Sequence, residues 1–482
     1  MTGMHDVEKI GGTSMAATAA LFENVLIAGR KGRDLYNRIF VVSAYAGMTD
    51  LLLEGKKTGV PGVYARFIAD DGDGCWREAM EKVRAAMRER NAGMFARAES
   101  RVEADAFVDA RIDGILSCLG DLDRLRSHGR FRLEEQLVTA RELLAGLGEA
   151  HSAHNTALLL RDRGVNAVLV DLTQWDGAEL PGLDRRIAAA LAPLDLAREM
   201  PIVTGYAGCA EGMVRRYARG YSEITFSRIA VLTGAREAII HKEFHLSSAD
   251  PRLVGEDKAR KIGRTNYDVA DQLANVGMEA IHPRAARGLR QTGIPLRVRN
   301  TFDREDEGTL ICGDYVSASP RVEIVAGIPT VHALQFFEQD MVGEKGYDAA
   351  ILDALTRAGA WIVSKSSNAN TITHYLSADA ATVAGVAAEL RSAYPAATVT
   401  AQQVAMVSVI GSDIARPGLV PDALQALAAA NVGLIAMQHQ IRNVDVQFIV
   451  DCADFETAIR ALHAALVEED EESGVDTSRH AA

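Results

Sequence analysis

The residues best suited to chemistry stand near the start of the chain, in the run Lys9-Ile10-Gly11-Gly12-Thr13-Ser14. A short alternating strand leads into two glycines and two hydroxyl residues, and an Ala-rich helical pattern follows from Ala16 to Ala28. Strand, Gly-Gly turn and helix start form the layout of an anion-binding loop. Glycines let the backbone come close to an oxyanion, and the N–H groups and positive dipole end of the helix favour it. Lys9 adds a full positive charge. An ordinary strand–turn–helix with Thr13 or Ser14 as N-cap accounts for the same residues.

Other candidates are spread along the chain. Ser43 and Thr49 flank Ala44-Tyr45-Ala46-Gly47-Met48, a loop after an apolar strand, where they offer hydroxyls or simply cap turns. Glu149 follows a glycine in an otherwise apolar helix, so it is either an amine ligand or a solvated helix glutamate. Arg215, Arg216 and Arg219 stand before the helix Ile224 to Thr233, a local cationic patch suited to a carboxylate or phosphate. The pair His151/His154 lacks acids or cysteines at ligand spacing, and His241/His245, four apart, do not form His-Glu-x-x-His, so no metal site is expected. Gly-x-x-x-x-Gly-Lys-Ser/Thr, Gly-x-Gly-x-x-Gly and the protein-kinase sequence set are all missing. If a phosphate is handled, the Lys9 loop handles it.

These residues need a scaffold, and the hydrophobic pattern supplies one. Buried-strand runs at Arg38–Ala44, Val165–Asp171, Pro201–Tyr206, Glu237–His241 and Pro295–Asn300 alternate with helical stretches, which predicts a large α/β domain with a mostly parallel sheet. Trp76 to Leu125 is charged and helical throughout, a lid or subdomain. From Arg321 the order strand–helix–strand–strand–helix occurs twice, about 70 residues apart, as in two ferredoxin-like units. The acidic end from Glu468 onward reads as disordered. A net charge of -13 argues against nucleic-acid or anionic-membrane surfaces. Five scattered cysteines, no signal-peptide pattern and no membrane-length apolar run predict a reducing, cytoplasmic setting.

Taken in order, the motifs resemble those of aspartokinases. Lys9-Ile10-Gly11-Gly12-Thr13-Ser14 is similar to that family's opening signature, and Val41 to Leu51 to its second loop. Gly148-Glu149 with Ser152-Ala153, Arg219-Gly220, Ala249-Asp250-Pro251-Arg252, and Leu273-Ala274 through His282-Pro283 follow at family-like spacing. Phe131-Arg132-Leu133-Glu134 and Ala140 to Gly146 resemble the branch associated with ectoine synthesis. The resemblance implies a three-layer αβα, carbamate-kinase-like amino-acid-kinase domain over residues 1–312. It also implies ACT domains over 320–400 and 401–470, with a disordered tail over 471–482.

It further implies transfer of the γ-phosphoryl of ATP, with Mg2+, to the side-chain carboxylate of L-aspartate. Lys9, Gly11, Gly12 and Glu223 form the catalytic set. Ser14, Ser43, Thr49, Glu149 and Arg219 hold substrate, with Glu149 on its ammonium and Arg219 on its α-carboxylate. Lys9, Gly12, His241, Lys242, Ser247, Arg252 and Glu279 meet the nucleotide. The chain departs from the family pattern at Glu223, where an aspartate is usual, at His241-Lys242 in place of Thr-Asp, at Ser247 in place of tyrosine, and at Glu279 in place of lysine. A homodimer or larger homo-oligomer through the ACT domains and an amino-acid effector are also implied. The rival readings are a kinase for glutamate or N-acetylglutamate, and an amino-acid sensor whose kinase domain has decayed.

Overall fold

The computed structural model describes residues 4–56, 58–69, 74–129, 131–173, 180–217, 220–278 and 280–468. The chain forms two compact units, one of residues 1–245 with 281–313 and the other of residues 246–280 with 314–482. The strands are β1 (Asp6–Ile10), β2 (Arg38–Val42), β3 (Ala167–Val170), β4 (Met200–Thr204), β5 (Glu237–Lys242), β6 (Arg264–Asn266), β7 (Leu296–Asn300) and β8 (Thr309–Cys312). They are followed by β9 (Ile324–Phe337), β10 (Trp361–Ser367), β11 (Thr371–Ser377), β12 (Thr398–Ile410), β13 (Leu434–His439) and β14 (Asp445–Val450).

In the first unit the strands run in the order β3-β4-β2-β1-β5-β7-β8. Every neighbouring pair is parallel except β7 with β8. β2 and β4 are buried at every residue, as parallel strands are when helices cover both faces. Because β1 lies between β2 and β5, its C-terminal loop opens beside two other strand ends, the usual ligand position in an open α/β sheet. The expected helical stretch between β2 and β3 is present as helices Cys75–Met94, Ala98–Ser127 and Glu134–Arg161. The single helix expected over Ala16–Ala28 is instead broken. Helix Gly12–Ala16 stops, Ala17 leaves helical geometry at φ −87° and ψ 61°, and helix Thr18–Leu21 restarts the run.

The second unit carries the two strand–helix–strand–strand–helix repeats as one six-stranded antiparallel sheet, in the order β10-β11-β9-β12-β14-β13. β9 and β12, the first strands of the two repeats, pair with each other along most of their length. Each repeat keeps its own core: Leu334, Phe336, Ile351, Leu355 and Leu390 in the first, Val407, Leu427, Phe448, Ile459 and Leu462 in the second.

Two features differ from the expected division of the chain. Position 400/401 falls inside β12, since the sheet joining the repeats is continuous there. Residues 246–280, expected with the N-terminal block, belong to the second unit. The apolar stripe of helix Tyr267–Asn275 explains this, because Val269, Leu273 and nearby Val276 pack on Ile324, Ala326 and Ile410. The expected disordered end beyond residue 468 lies outside the described residues. Leu273→Ala is expected to cost about 2–5 kcal/mol through the cavity it leaves. Urea unfolding measures this, and an unchanged midpoint would remove helix Tyr267–Asn275 from that core.

Candidate active site

The site is built on two consecutive charges inside the sheet. Side chains alternate along a strand, so Glu8 and Lys9 of β1 point to opposite faces. On one face Glu8 is buried and accepts from Arg38 Nε of β2 at 2.5 Å and from His241 Nε2 of β5 at 2.7 Å. Burial would raise the Glu8 carboxyl, but Arg38 and His241 outweigh it and hold the group far below the ordinary carboxylate range. Burial keeps His241 neutral, so its Nε2–H donates to the carboxylate. Arg38 also donates to Leu26 O and Val25 O at 2.8 and 2.7 Å, tying the segment after the Gly-Gly turn to the sheet.

On the other face Lys9 Nζ lies 3.3 Å from Glu223 Oε1, both side chains largely enclosed. Glu223 stands in the first turn of helix Tyr221–Thr233, and its Oε2 accepts from the His282 backbone N–H. Burial alone would raise its pKa, but Lys9, Lys242 and the His282 amide lower it below the usual value. The loops after β1 and β2 are laced together: Ser43 N–H donates to Ile10 O and Ala46 N–H to Gly12 O, each at 3.1 Å. Only glycine fits at position 12, where a Cβ would come 2.8 Å from Ala44 O. Ser14 is fully buried and accepts from Thr301 Oγ1 at 2.8 Å, whereas Thr49 lies half-buried in helix Met48–Leu52.

The second pole is Glu149, buried in helix Glu134–Arg161. Ser222, next to Glu223, donates to its Oε1 at 2.6 Å, and Oε2 has no hydrogen-bond partner. Burial pushes its pKa up to about 8, against smaller opposing effects from Ser222, Lys9 and the Tyr206 and Ala44 amides. Gly205 permits this packing, since a Cβ there would meet Ser222 Cβ at 2.7 Å, Val42 O at 2.9 Å and Glu149 Oε2 at 3.0 Å. Helix Glu134–Arg161 also carries Ser152, whose Oγ donates to Ser43 O at 2.8 Å. Thus Lys9, Gly11, Gly12, Glu223, Ser43 and Glu149 all belong to adjoining strand ends and helices of one unit.

Glu142 was not singled out as a functional residue, yet it has an evident task. Buried about two turns upstream of the Gly148-Glu149 pair, it accepts from Tyr206 Oη at 2.9 Å, Val214 N–H at 3.0 Å and Arg215 N–H at 2.8 Å. It therefore caps helix Met213–Tyr217, which leads to Arg219 in the sequence. No sequence signal marks a glutamate as the cap of a helix some 70 residues away.

The remaining expected residues fall elsewhere. Arg219 and Glu279 lie outside the described residues. His241 is committed to Glu8, so its ring positions β1 rather than facing open space. Lys242 ends β5 and acts electrostatically on Glu223. Ser247 and Arg252 belong to the second unit, where Ser247 Oγ donates to Ala249 O at 2.7 Å and Arg252 pairs with Asp250, the cap of helix Pro251–Val254. His245 sits between Asp303 and Asp306, 3.2 Å from one and 3.4 Å from the other. Gly205→Ala is expected to cost about 1–3 kcal/mol by overpacking. Thermal unfolding measures this, and an unaltered midpoint would mean the close contact relaxes freely.

The chain was compared with known proteins. Residues 6–300 match the amino acid kinase family. "Aspartate kinase Ask_Ect" of Stutzerimonas stutzeri is 51% identical over 466 residues, covering 96% of this chain and 98% of that one. The aspartokinase of Geobacillus stearothermophilus is 27% identical over 67% of this chain and 81% of its own length. Among solved structures, E. coli aspartokinase III in complex with lysine and aspartate matches with a TM-score of 0.72 at 19% identity, covering 96% of this chain and all of that one. The aspartate kinase of Clostridium acetobutylicum matches with a TM-score of 0.68 at 17% identity, over 96% of this chain and 100% of its own. An α/β fold with a mostly parallel sheet and a second, antiparallel one is thus shared with both structures. With residues 6–300 matching the family and a relative named as an aspartate kinase 51% identical over nearly the whole of both chains, this chain belongs to the amino acid kinase family, among its aspartate kinases.

Proposed function

We propose that the chain transfers the γ-phosphoryl of ATP to the β-carboxylate of L-aspartate, giving 4-phospho-L-aspartate and ADP. The observation that carries this reading is Glu149, a buried carboxylate with one oxygen unpartnered and burial favouring its neutral form. An ammonium group supplies the missing partner, so a free amino acid fits where an N-acylated one does not.

In this reading a β-carboxylate oxygen attacks Pγ, the bond from Pγ to the bridging oxygen breaks, and ADP carries that electron pair away. Lys9 and the Gly12 amide neutralise charge on the transferring group, while Gly11, whose own N–H donates to His241 O at 3.4 Å, shapes the turn. Electrostatics and positioning supply most of the catalysis. Glu223 keeps Lys9 in place, and Lys242 adds a second cation close by. Ser43 and Thr49 orient the reacting carboxylate, Ser14 supports the loop, and Arg219 takes the α-carboxylate. Mg2+, when bound with the nucleotide, would neutralise part of the charge on the transferring phosphoryl group. Among the described residues the metal-ligand grouping is His245, Asp303 and Asp306, whose two carboxylates offer the oxygen donors such an ion takes.

Membership of a kinase family supports ATP use. His241 is left out of the nucleotide contacts because its ring is committed to Glu8, and Lys242 stands as the β5 residue proposed to meet the phosphates. The 51% identity to the protein named Ask_Ect, with the ectoine-branch motifs, supports a place at the first step of ectoine or aspartate-family synthesis. An amino-acid effector and a homo-oligomer formed through edge strands β10 and β13 are part of the same reading. Among the described residues no helix is long and apolar enough to cross a membrane, which accords with a cytoplasmic enzyme.

An ATP-dependent hydroxamate assay with aspartate, glutamate and N-acetylglutamate tests the reaction. Product from aspartate alone is expected, and no product from any acceptor would leave an amino-acid sensor. Lys9→Ala should lower kcat about a hundred-fold or more, and a near-normal rate would make Lys9 structural.

The pKa of Glu149 fixes a pH dependence. With a ligand-free pKa of about 8, Glu149 is mostly protonated at neutral pH, and an ammonium ligand favours its ionised form. Aspartate binding near neutral pH should therefore release a proton, and Kd should fall as pH rises towards that pKa. Calorimetry in buffers of different ionisation heat measures both. A pH-independent Kd without proton release would separate the ammonium from Glu149.

A further inference from the structure

Helix Cys75–Met94 has no part in the reaction as derived so far, yet its last two turns reach three pieces of the site. Arg90 Nη2 donates to Met15 O at 3.1 Å, Ala16 O at 2.6 Å and Thr18 Oγ1 at 3.0 Å. These are the carbonyls at the break after helix Gly12–Ala16, freed where Ala17 leaves helical geometry. The same guanidinium lies over the ring of Tyr45, 4.5 Å from its centroid, in the loop that Ser43 opens. Tyr45 is buried and packs edge-on against His151, two residues beyond Glu149. Asn91, fully buried, accepts from His151 Nε2 at 2.7 Å and Asn155 Nδ2 at 2.8 Å, and donates to Asp105 at 2.8 Å.

The geometry points to Arg90 as a positioning residue for phosphoryl transfer, one that holds the Lys9 glycine loop, the Ser43–Thr49 loop and the Glu149 helix in mutual register. Its means are one guanidinium nitrogen, Nη2, that donates to three oxygens at the break while the guanidinium lies over an aromatic ring. A lysine supplies charge and donors but not the flat face. Arg90 touches no reacting atom. It acts by fixing the helix that presents the Gly12 amide against the loop and helix that hold the acceptor. Transfer depends on in-line placement, so small displacements of either side lower the rate steeply. The same contacts satisfy carbonyls that the broken helix leaves free and a continuous helix would use internally.

The inference rests on the kinase reading, and the experiment keeps the two apart. Wild type, Arg90→Lys, Arg90→Met and Arg90→Ala are compared by steady-state kinetics well below their melting temperatures. Amide hydrogen exchange is followed on the same proteins. In Arg90→Met, kcat should fall by about ten- to a hundred-fold, with a smaller change in either KM. Exchange should quicken at residues 11–16 and 44–49 while the sheet strands stay protected. Arg90→Lys should recover little, and added methylguanidinium should restore part of the rate of Arg90→Ala. An unchanged kcat in the folded variants overturns the inference, and so does a loss that tracks only the unfolded fraction. If wild type itself forms no product, the kinase reading fails, and unaltered loop exchange in Arg90→Met then overturns the positioning role separately.

Discussion

A central strand covered on both sides has to dispose of two adjacent charges, and this constraint organises the first unit. Glu8 and Lys9 follow one another on β1, so the pleat sends one into each layer. A buried charge is tolerated only when paired and hydrogen-bonded. Glu8 draws its partners from the two flanking strands, Arg38 of β2 and His241 of β5, and so bears on which strands stand beside β1. Lys9 draws its partner from the first turn of helix Tyr221–Thr233 and so bears on where that helix begins. Arg38 extends the arrangement to Val25 and Leu26 through their carbonyls, which fixes the exit of the chain from the glycine loop.

The two carboxylates of the site are balanced in opposite ways. Glu223 is surrounded by Lys9, Lys242 and a backbone amide and stays ionised despite burial. Glu149 has one serine hydroxyl, two amides nearby and the more distant influence of Lys9, and burial prevails. The protein thus completes one charge itself and leaves the other with an unpartnered oxygen. That asymmetry separates a structural counter-ion from a binding group, and residue identity alone does not give it.

Legibility in the sequence followed the range of the interactions. The glycine loop, the parallel strands, the long helices and the doubled strand–helix pattern depend on local periodicity, and they stand close to their expected places. The Gly148-Glu149 pair was also readable, because a glutamate after glycine in an apolar helix is unusual within its own neighbourhood. What escaped depends on partners far apart in the chain. Ser222 meets Glu149 and Glu142 caps helix Met213–Tyr217 only after the strands have been ordered. The break at Ala17 is invisible in an Ala-rich run, and the side chain that meets its freed carbonyls, Arg90, lies more than 70 residues downstream. Which core the apolar stripe of helix Tyr267–Asn275 joins is likewise settled only by the packing of the second unit.

The departures from the family pattern around β5 become coherent once charges are counted around Glu223. An aspartate at position 242 would set a second carboxylate near the one that holds Lys9, and burial makes such like-charge neighbours costly. Lysine there reverses the sign, so a single carboxylate is shared between two cations and a backbone amide. The extra methylene of glutamate over aspartate at position 223 lengthens the reach of the carboxylate, whose two oxygens here meet Lys9 on one side and the His282 amide on the other. At position 241, histidine adds a neutral donor for Glu8 where Arg38 already supplies the charge, which spares the sheet a second buried cation. Read together, Glu8, Glu223, His241 and Lys242 form one electrostatic solution that keeps positive charge gathered at the end of β1 and β5, on the side where a polyphosphate would approach.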